Sequence, residues 1–256
     1  MRVYALLTLI VIVMAEVPIY PEKIVGGSVT TIDQYPAIVS CLYSNDLVNY
    51  TQYCAGTILN RRSVLTAAHC TFGDPANKWR IRVGSSFANS GGVVHNVEQI
   101  IQHPMFNVIA HCDYDFAILR SATFITFNKN ARPVAIAGDI YEIPDHQPVW
   151  AAGFGLTSEK GPASEILRHV QVFTVNHDAC KGPYKSVGIT ITENMLCSGV
   201  FNAGGRDQCT QDSGGPLFHN GVLVGVCSFG FGCARPQFPG VNARVSRASA
   251  WIRKNA

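Results

Sequence analysis

The sequence predicts an all-β protein, and three observations predict it. Short apolar or alternating runs recur at residues 37–42, 56–59, 79–83, 93–101, 116–119, 147–152, 167–175 and 222–226. Their lengths suit strands, and their number suits barrels or a sandwich. Gly and Pro, 23 and 13 of the 256 residues, punctuate these runs, and only 14% of residues are charged. That balance fits turn-rich sheet better than helix. Helical spacing is clearest at the end, where Val245, Ala248, Trp251 and Ile252 share a face behind Ser246, a candidate cap.

The chain opens with Arg2 and an apolar run over 3–14 that ends at the small residue Ala15. This reads as a secretory signal peptide over residues 1–15. The run is shorter than the roughly 18–20 apolar residues that span a bilayer, and no later stretch is long and apolar enough, so no membrane association is expected. Secretion makes the nine cysteines disulfide material. An odd count leaves at least one without an internal partner, and no Cys-x-x-Cys suggests a zinc ribbon or a thioredoxin-like site. Residues 16–23 are polar and hold Pro18 and Pro21. They end at Lys23-Ile24-Val25-Gly26-Gly27, which reads as a proteolytic processing site or as a plain linker into the first strand.

Further along, Asn49-Tyr50-Thr51 is a glycosylation sequon whose use stays open. Residues 85–99 carry a single acid, Glu98, too few for a calcium loop. No metal and no cofactor is assigned. The stretch 129–148 is the best candidate for an internal boundary, and no internal repeat stands out. Net charge is +3 with no polybasic block, which argues against nucleic-acid binding.

Chemistry concentrates in Cys209-Thr210-Gln211-Asp212-Ser213-Gly214-Gly215-Pro216. Serine is a poor nucleophile until a base takes its proton. Downstream, Asn220-Gly221 is a two-residue hairpin turn. Setting His219 opposite Val222 carries Ser213 to a place opposite Ser228, and Cys209 close to Cys233; a bulge would shift this by one residue. The candidate base is His69 in Thr66-Ala67-Ala68-His69-Cys70, where a disulfide at Cys70, with Cys54 as candidate partner, would pin the backbone. A base also needs an acid to hold its tautomer. Asp115 fits, at the mouth of the apolar run 116–119, and Asp113 is the second candidate. Asp33, Asp46, Asp74, Asp139 and Asp145 sit in polar or turn-like surroundings.

Together these stretches resemble the chymotrypsin-family serine proteases, and within them the insect, lepidopteran-like trypsin-like digestive enzymes. The resemblance runs from Ile24 to the C-terminus. It rests on Ile24-Val25-Gly26-Gly27, Leu65-Thr66-Ala67-Ala68-His69-Cys70, Asp115-Phe116-Ala117-Ile118-Leu119, Asp212-Ser213-Gly214-Gly215-Pro216 and Ser228-Phe229-Gly230. The order His…Asp…Ser is this family's, and Gln211 breaks the Gly-x-Ser-x-Gly elbow of the α/β-hydrolases. The resemblance implies two six-stranded antiparallel β-barrels with the active site in the cleft between them. The peptidase domain would be 24–256, after a propeptide at 16–23. Its barrels would span about 24–135 and about 136–245, with a C-terminal helix at about 246–254. It also implies disulfides Cys54–Cys70, Cys180–Cys197 and Cys209–Cys233, which leaves Cys41, Cys112 and Cys227 without assigned partners and Cys227 as a buried thiol.

For the residues, the resemblance implies that Ser213 attacks the scissile carbonyl, that His69 is its base, and that Asp115 orients His69 with support from Ser228. The backbone N–H groups of Gln211 and Ser213 would form the oxyanion hole. Asp207 would sit at the base of the primary pocket and select Arg or Lys, with Gly230 and Gly240 as pocket walls. The backbone of 228–230 would pair with extended substrate. Cleavage after Lys23 would free the α-amine of Ile24 to pair with buried Asp212. The expected partners are protein and peptide substrates, proteinaceous protease inhibitors and an activating trypsin-like protease, for a secreted monomer of the gut lumen. The family has glycine where this chain has Gln211. Losing one oxyanion donor costs roughly 2.7–4 kcal/mol of barrier. The alternative is therefore a weakened or non-catalytic homologue that acts as a binding protein.

Overall fold

A computed structural model describes residues 25–256. The segments read as signal peptide (1–15) and propeptide (16–23), together with Ile24, lie outside the described residues. The chain enters through β1 (Ser28–Val29). The first barrel follows: β2 (Ile38–Tyr43), β3 (Thr51–Ile58), β4 (Ser63–Thr66), β5 (Trp79–Val83), β6 (Val93–Gln102) and β7 (Ala117–Ser121). Their order is β2-β3-β4-β7-β6-β5, closed by antiparallel pairing of β2 with β5. The second barrel holds β8 (Pro148–Gly153), β9 (Arg168–Thr174), β10 (Met195–Gly199), β11 (Pro216–His219), β12 (Val222–Phe229) and β13 (Gly240–Arg244). Its order β9-β10-β13-β12-β11-β8 closes through the pairing of β8 with β9. The chain thus folds as two closed six-stranded antiparallel barrels. β1 does not join the first barrel. It pairs with β9, Ser28 facing His169, so the entering segment straps onto the second barrel.

Period-two burial is clear on β5 and β9, while β2, β4, β10 and β11 are buried nearly throughout, between the barrel cores and the segments that cover them. Along β5, Trp79, Ile81 and Val83 are buried while Arg80 and Arg82 point outward. Trp79, Ile81, Val39, Cys41, Leu65 and Ile118 fill the first barrel, and they are continuous with Val170, Val172, Leu217 and Val226 of the second. Cys41 faces Cys54 across the β2–β3 ladder, yet Cys54 bonds Cys70 instead. Burial pushes the Cys41 thiol up to about 12, so it behaves as a small apolar group.

Three local features depart from the sequence pattern. The helix α2 (His177–Ser186) was not foreseen, because Gly182 and Pro183 inside it mask the periodicity. Asn176 starts it, its side chain accepting the Ala179 N–H at 3.0 Å. The C-terminal helix α3 (Val245–Asn255) begins one residue earlier than expected and Ser246 does not cap it; Arg244 holds the cap position without a side-chain bond. In the β11–β12 hairpin His219 does face Val222, but a bulge between Leu217 and Phe218 sets Leu217 opposite Gly225. Ser213 is therefore not in register with Ser228. The shift is the bulge's extra residue, and it leaves Cys209 bonded to Cys233 all the same.

The barrels are tied at Asp113, which is fully buried. Its carboxylate accepts from Thr192 Oγ1 and, at 3.1 Å to each oxygen, from Asn194 Nδ2, just ahead of β10. Removing it strands those donors. Asp113→Ala should lower the unfolding free energy by about 2–4 kcal/mol. Urea unfolding beside the exposed-site control Asp139→Ala checks this; equal midpoints for the two variants would dismiss the tether.

Candidate active site

β4 runs directly into a single helical turn, α1 (Ala68–Thr71), which carries His69. The Cys54–Cys70 disulfide anchors that turn to β3. Asp115 arrives on the loop before β7 with no exposed surface. Its carboxylate clasps His69 twice, taking the backbone N–H at 2.8 Å on Oδ1 and the Nδ1–H at 2.7 Å on Oδ2. Ser228 Oγ donates to the same Oδ2 at 2.5 Å from the second barrel. Burial lowers the His69 pKa, and the hydrogen bond and charge of Asp115 more than offset that, so the net shift is upward from 6.5. Asp113, the second candidate, turns away to Thr192 and Asn194. Asp46 is spent on its own loop, accepting the N–H groups of Val48 and Asn49.

Ser213 lies on the turn before β11. Its carbonyl accepts the Ala55 N–H of β3 at 2.8 Å, which docks the turn on the first barrel. Gly214 makes the close approach possible: its φ is +79°, and a Cβ there would stand 2.1 Å from Thr66 Oγ1. The imidazole's nearest bonds run to Asp115, and Ser213 opens into the adjoining cavity. That cavity, about 430 Å³, is lined by Gln208, Ser213, Ser228, Gly230 and Gly240 among others.

Asp207 lies under the cavity floor, 3% exposed. It accepts N–H groups from Gln208 at 2.9 Å and Ala234 at 3.0 Å. Burial pushes it up to about 7, against those two bonds and with help from the charge of Asp212. A Cβ on Gly240, which lines the cavity, would sit 2.7 Å from the Asp207 carboxylate, so any larger residue there would press on it. A Cβ on Gly230 would stand 2.9 Å from the Gly232 carbonyl. Asp212 is 1% exposed and accepts from Gly155 N–H at 2.8 Å and Cys209 N–H at 3.0 Å. Burial pushes it up to about 6. Neither acid has a cationic partner among the described residues.

The disulfides Cys180–Cys197 and Cys209–Cys233 hold α2 and the Ser213 turn respectively. Two side chains escaped the sequence reading. Tyr184 of α2 is buried and donates to the Pro239 carbonyl at 2.7 Å, steadying the cavity wall. Gln52 donates from Nε2 to the Gln211 carbonyl at 2.9 Å. Its sequence neighbourhood is an unremarked strand, so no motif marks it. Gln211 itself adopts φ +73°, the left-handed region a side chain resists.

The family described as Trypsin matches residues 24–252. The chain belongs to the trypsin family. It is 56% identical to alkaline trypsin C of Manduca sexta over 257 residues, covering the whole of both chains. It is 58% identical to trypsin CFT-1 of Choristoneura fumiferana over 253 residues, 98% of each chain. To trypsin 5G1 of Aedes aegypti the identity is 36% over 232 residues, 91% of this chain and 84% of that one. The molecule is thus a serine endopeptidase of the trypsin type, a hydrolase acting on protein substrates, akin to the lepidopteran trypsins.

A left-handed non-glycine residue costs about 1–2 kcal/mol, equivalent to roughly five- to thirtyfold in rate if it is released only on catalysis. Gln211→Gly should accordingly raise kcat on a small Arg-amide. Gln52→Leu should lower kcat with KM little changed, and should do so less in the Gln211→Gly background. Additive effects in the double variant would show that Gln52 does not hold Gln211.

Proposed function

We propose that this chain is a secreted digestive endopeptidase that cleaves after Arg and Lys through an acyl-enzyme, with Ser213 as nucleophile and His69 as base. One observation carries the specificity: the buried Asp207 carboxylate next to Gln208 and Gly240 of the cavity lining, with no cation beside it among the described residues. A guanidinium or ammonium guest supplies the missing charge, whereas an apolar guest leaves the acid unpaired. Asp115 keeps the proton of neutral His69 on Nδ1, so Nε2 is the nitrogen that takes the Ser213 proton and later returns it to the leaving amine. The N–H groups of Gln211 and Ser213 then face the developing oxyanion.

The same logic supports activation by cleavage after Lys23 by a trypsin-like protease. Asp212 is an acid in search of a cation, and a freed Ile24 α-amine is the group of matching charge. On this reading the peptidase domain is 24–256, a monomer released from a precursor whose leader is 1–15 and whose propeptide is 16–23. Its setting is the gut lumen, where proteinaceous inhibitors also meet it. The Manduca relatives are named alkaline trypsins. An alkaline medium would suit this site, since it keeps Asp207 ionised and His69 neutral.

Asp207→Ser in the processed enzyme should cut kcat/KM for Arg- and Lys-amides by roughly 10⁴-fold while sparing a Phe-amide; a Phe preference in the parent enzyme would remove Asp207 from this role. The pH dependence is separable. Protonated His69 cannot act as base, so kcat should rise as pH climbs through a value above 6.5. Asp207 is uncharged below about 7 in the empty cavity. KM for an Arg substrate should therefore fall as pH rises through that region, and KM for a Phe substrate should not. Parallel KM profiles for both would refute the charge pairing.

A further inference from the structure

Asn49-Tyr50-Thr51 is a motif that the proteolytic site leaves unused. It lies where the loop 44–50 enters β3, with Thr51 paired to Tyr43 of β2. Asn49 and Thr51 are both exposed. The residue between them is pinned: Tyr50 gives its hydroxyl to the Asn77 carbonyl at 2.7 Å, and the Arg80 guanidinium lies 3.8 Å over its ring. Asp46 organises the loop, accepting the N–H groups of Val48 and Asn49 and, at 2.8 Å, one N–H of the Asn49 side chain. An asparagine amide has two such hydrogens, so replacing the second leaves the loop contact intact.

The asparagine is flanked by apolar side chains turned to solvent. Leu47 is held in the left-handed region at φ 63°, and Leu47, Val48 and Tyr53 are all exposed, Val48 by 74%. Neighbouring apolar groups of this kind mark a surface that something else covers. From this loop β3 runs on to the nucleophile turn. Gln52 donates to the Gln211 carbonyl at 2.9 Å, and the Ala55 N–H to the Ser213 carbonyl at 2.8 Å. Asn49 stands three residues before Gln52, so no more than about 11 Å of extended chain separates them. A group attached to Asn49 therefore begins at the rim of the cleft.

We propose that Asn49 carries an N-linked oligosaccharide, and that this glycan screens the rim of the cleft against folded protein inhibitors while extended peptides still enter. The transfer takes place in the secretory lumen, so the proposal rests on the reading of residues 1–15 as a leader. The Asn49 side-chain nitrogen attacks the anomeric carbon of a lipid-linked oligosaccharide diphosphate. A nitrogen–carbon bond forms, the carbon–oxygen bond to the diphosphate breaks, and the lipid diphosphate departs. One amide proton goes to base, and nothing is oxidised or reduced. The remaining amide N–H keeps its bond to Asp46. A folded inhibitor covers about 800 Å² of enzyme surface, so it reaches beyond the cleft to the rim. An extended peptide lies within the cleft and passes beneath the sugar.

The test secretes the full chain from insect cells and weighs the proteolytic fragment that holds Asn49 by mass spectrometry. The parent and Thr51→Ser fragments should carry hexose and N-acetylhexosamine, and the Thr51→Ala fragment should carry neither. Thr51→Ala keeps Asn49 and its bond to Asp46, so it removes the sugar and spares the loop. Secreted parent protein without sugar overturns the proposal. A chain left unprocessed in the cytosol overturns the leader reading and the glycan with it. Association of a folded Kunitz-type trypsin inhibitor with the processed proteins is then followed by direct binding. It should be roughly tenfold faster for Thr51→Ala than for the parent, with kcat/KM for a small Arg-amide unchanged. Equal association rates, or an equal rise in kcat/KM, overturn the screening. Because binding is read directly, a lack of turnover would count against the proteolytic reading alone.

Discussion

The fully buried Asp115 carboxylate is the point on which the geometry around His69 hangs. It comes from the first barrel and holds both the backbone and the ring of His69. It also takes the hydroxyl of Ser228 from the second barrel. A buried carboxylate is costly unless its oxygens are occupied. Satisfying Asp115 therefore forces the imidazole into one orientation and brings the barrels into one relation. Asp113, two residues earlier, reinforces that relation through Thr192 and Asn194, so two acids on one loop divide the work of aiming and tethering.

The second barrel answers with two acids handled the opposite way. Asp207 and Asp212 are buried with backbone N–H partners only, and burial raises both. A carboxylate whose folded pKa exceeds its unfolded value stabilises the fold below the unfolded value. That contribution fades as pH rises through about 6 for Asp212 and about 7 for Asp207. In neutral and alkaline medium each is therefore a stored demand for a cation. On the proposed function, a basic substrate side chain and a freed Ile24 α-amine would meet those demands. Gln211 sits between these two acids in the chain, in a backbone conformation that glycine adopts freely and glutamine does not.

Legibility followed the range of the interaction. The strands read from short apolar or alternating runs, alternating as in β5 or wholly apolar as in β2, because both are local patterns. The candidate residues read from short motifs around His69, Asp115 and Ser213. Where a distant contact decides, the sequence was mute. The bulge in the β11–β12 hairpin broke the register arithmetic, and α2 hid behind its own Gly182 and Pro183. Gln52 carries no motif, and only the packing of β3 under the Ser213 turn reveals what it touches.

By itself, then, the sequence determined the all-β class, the barrel strands, the family and the residue types available for chemistry. Those follow from local alternation, turn residues and contiguous motifs. Tertiary structure alone decided that Asp113 ties the barrels instead of serving His69, that β1 joins the second barrel, and that Cys112 stands beside His69. Each rests on residues far apart in the chain, and such pairs become neighbours only once burial of the shared core has closed both barrels.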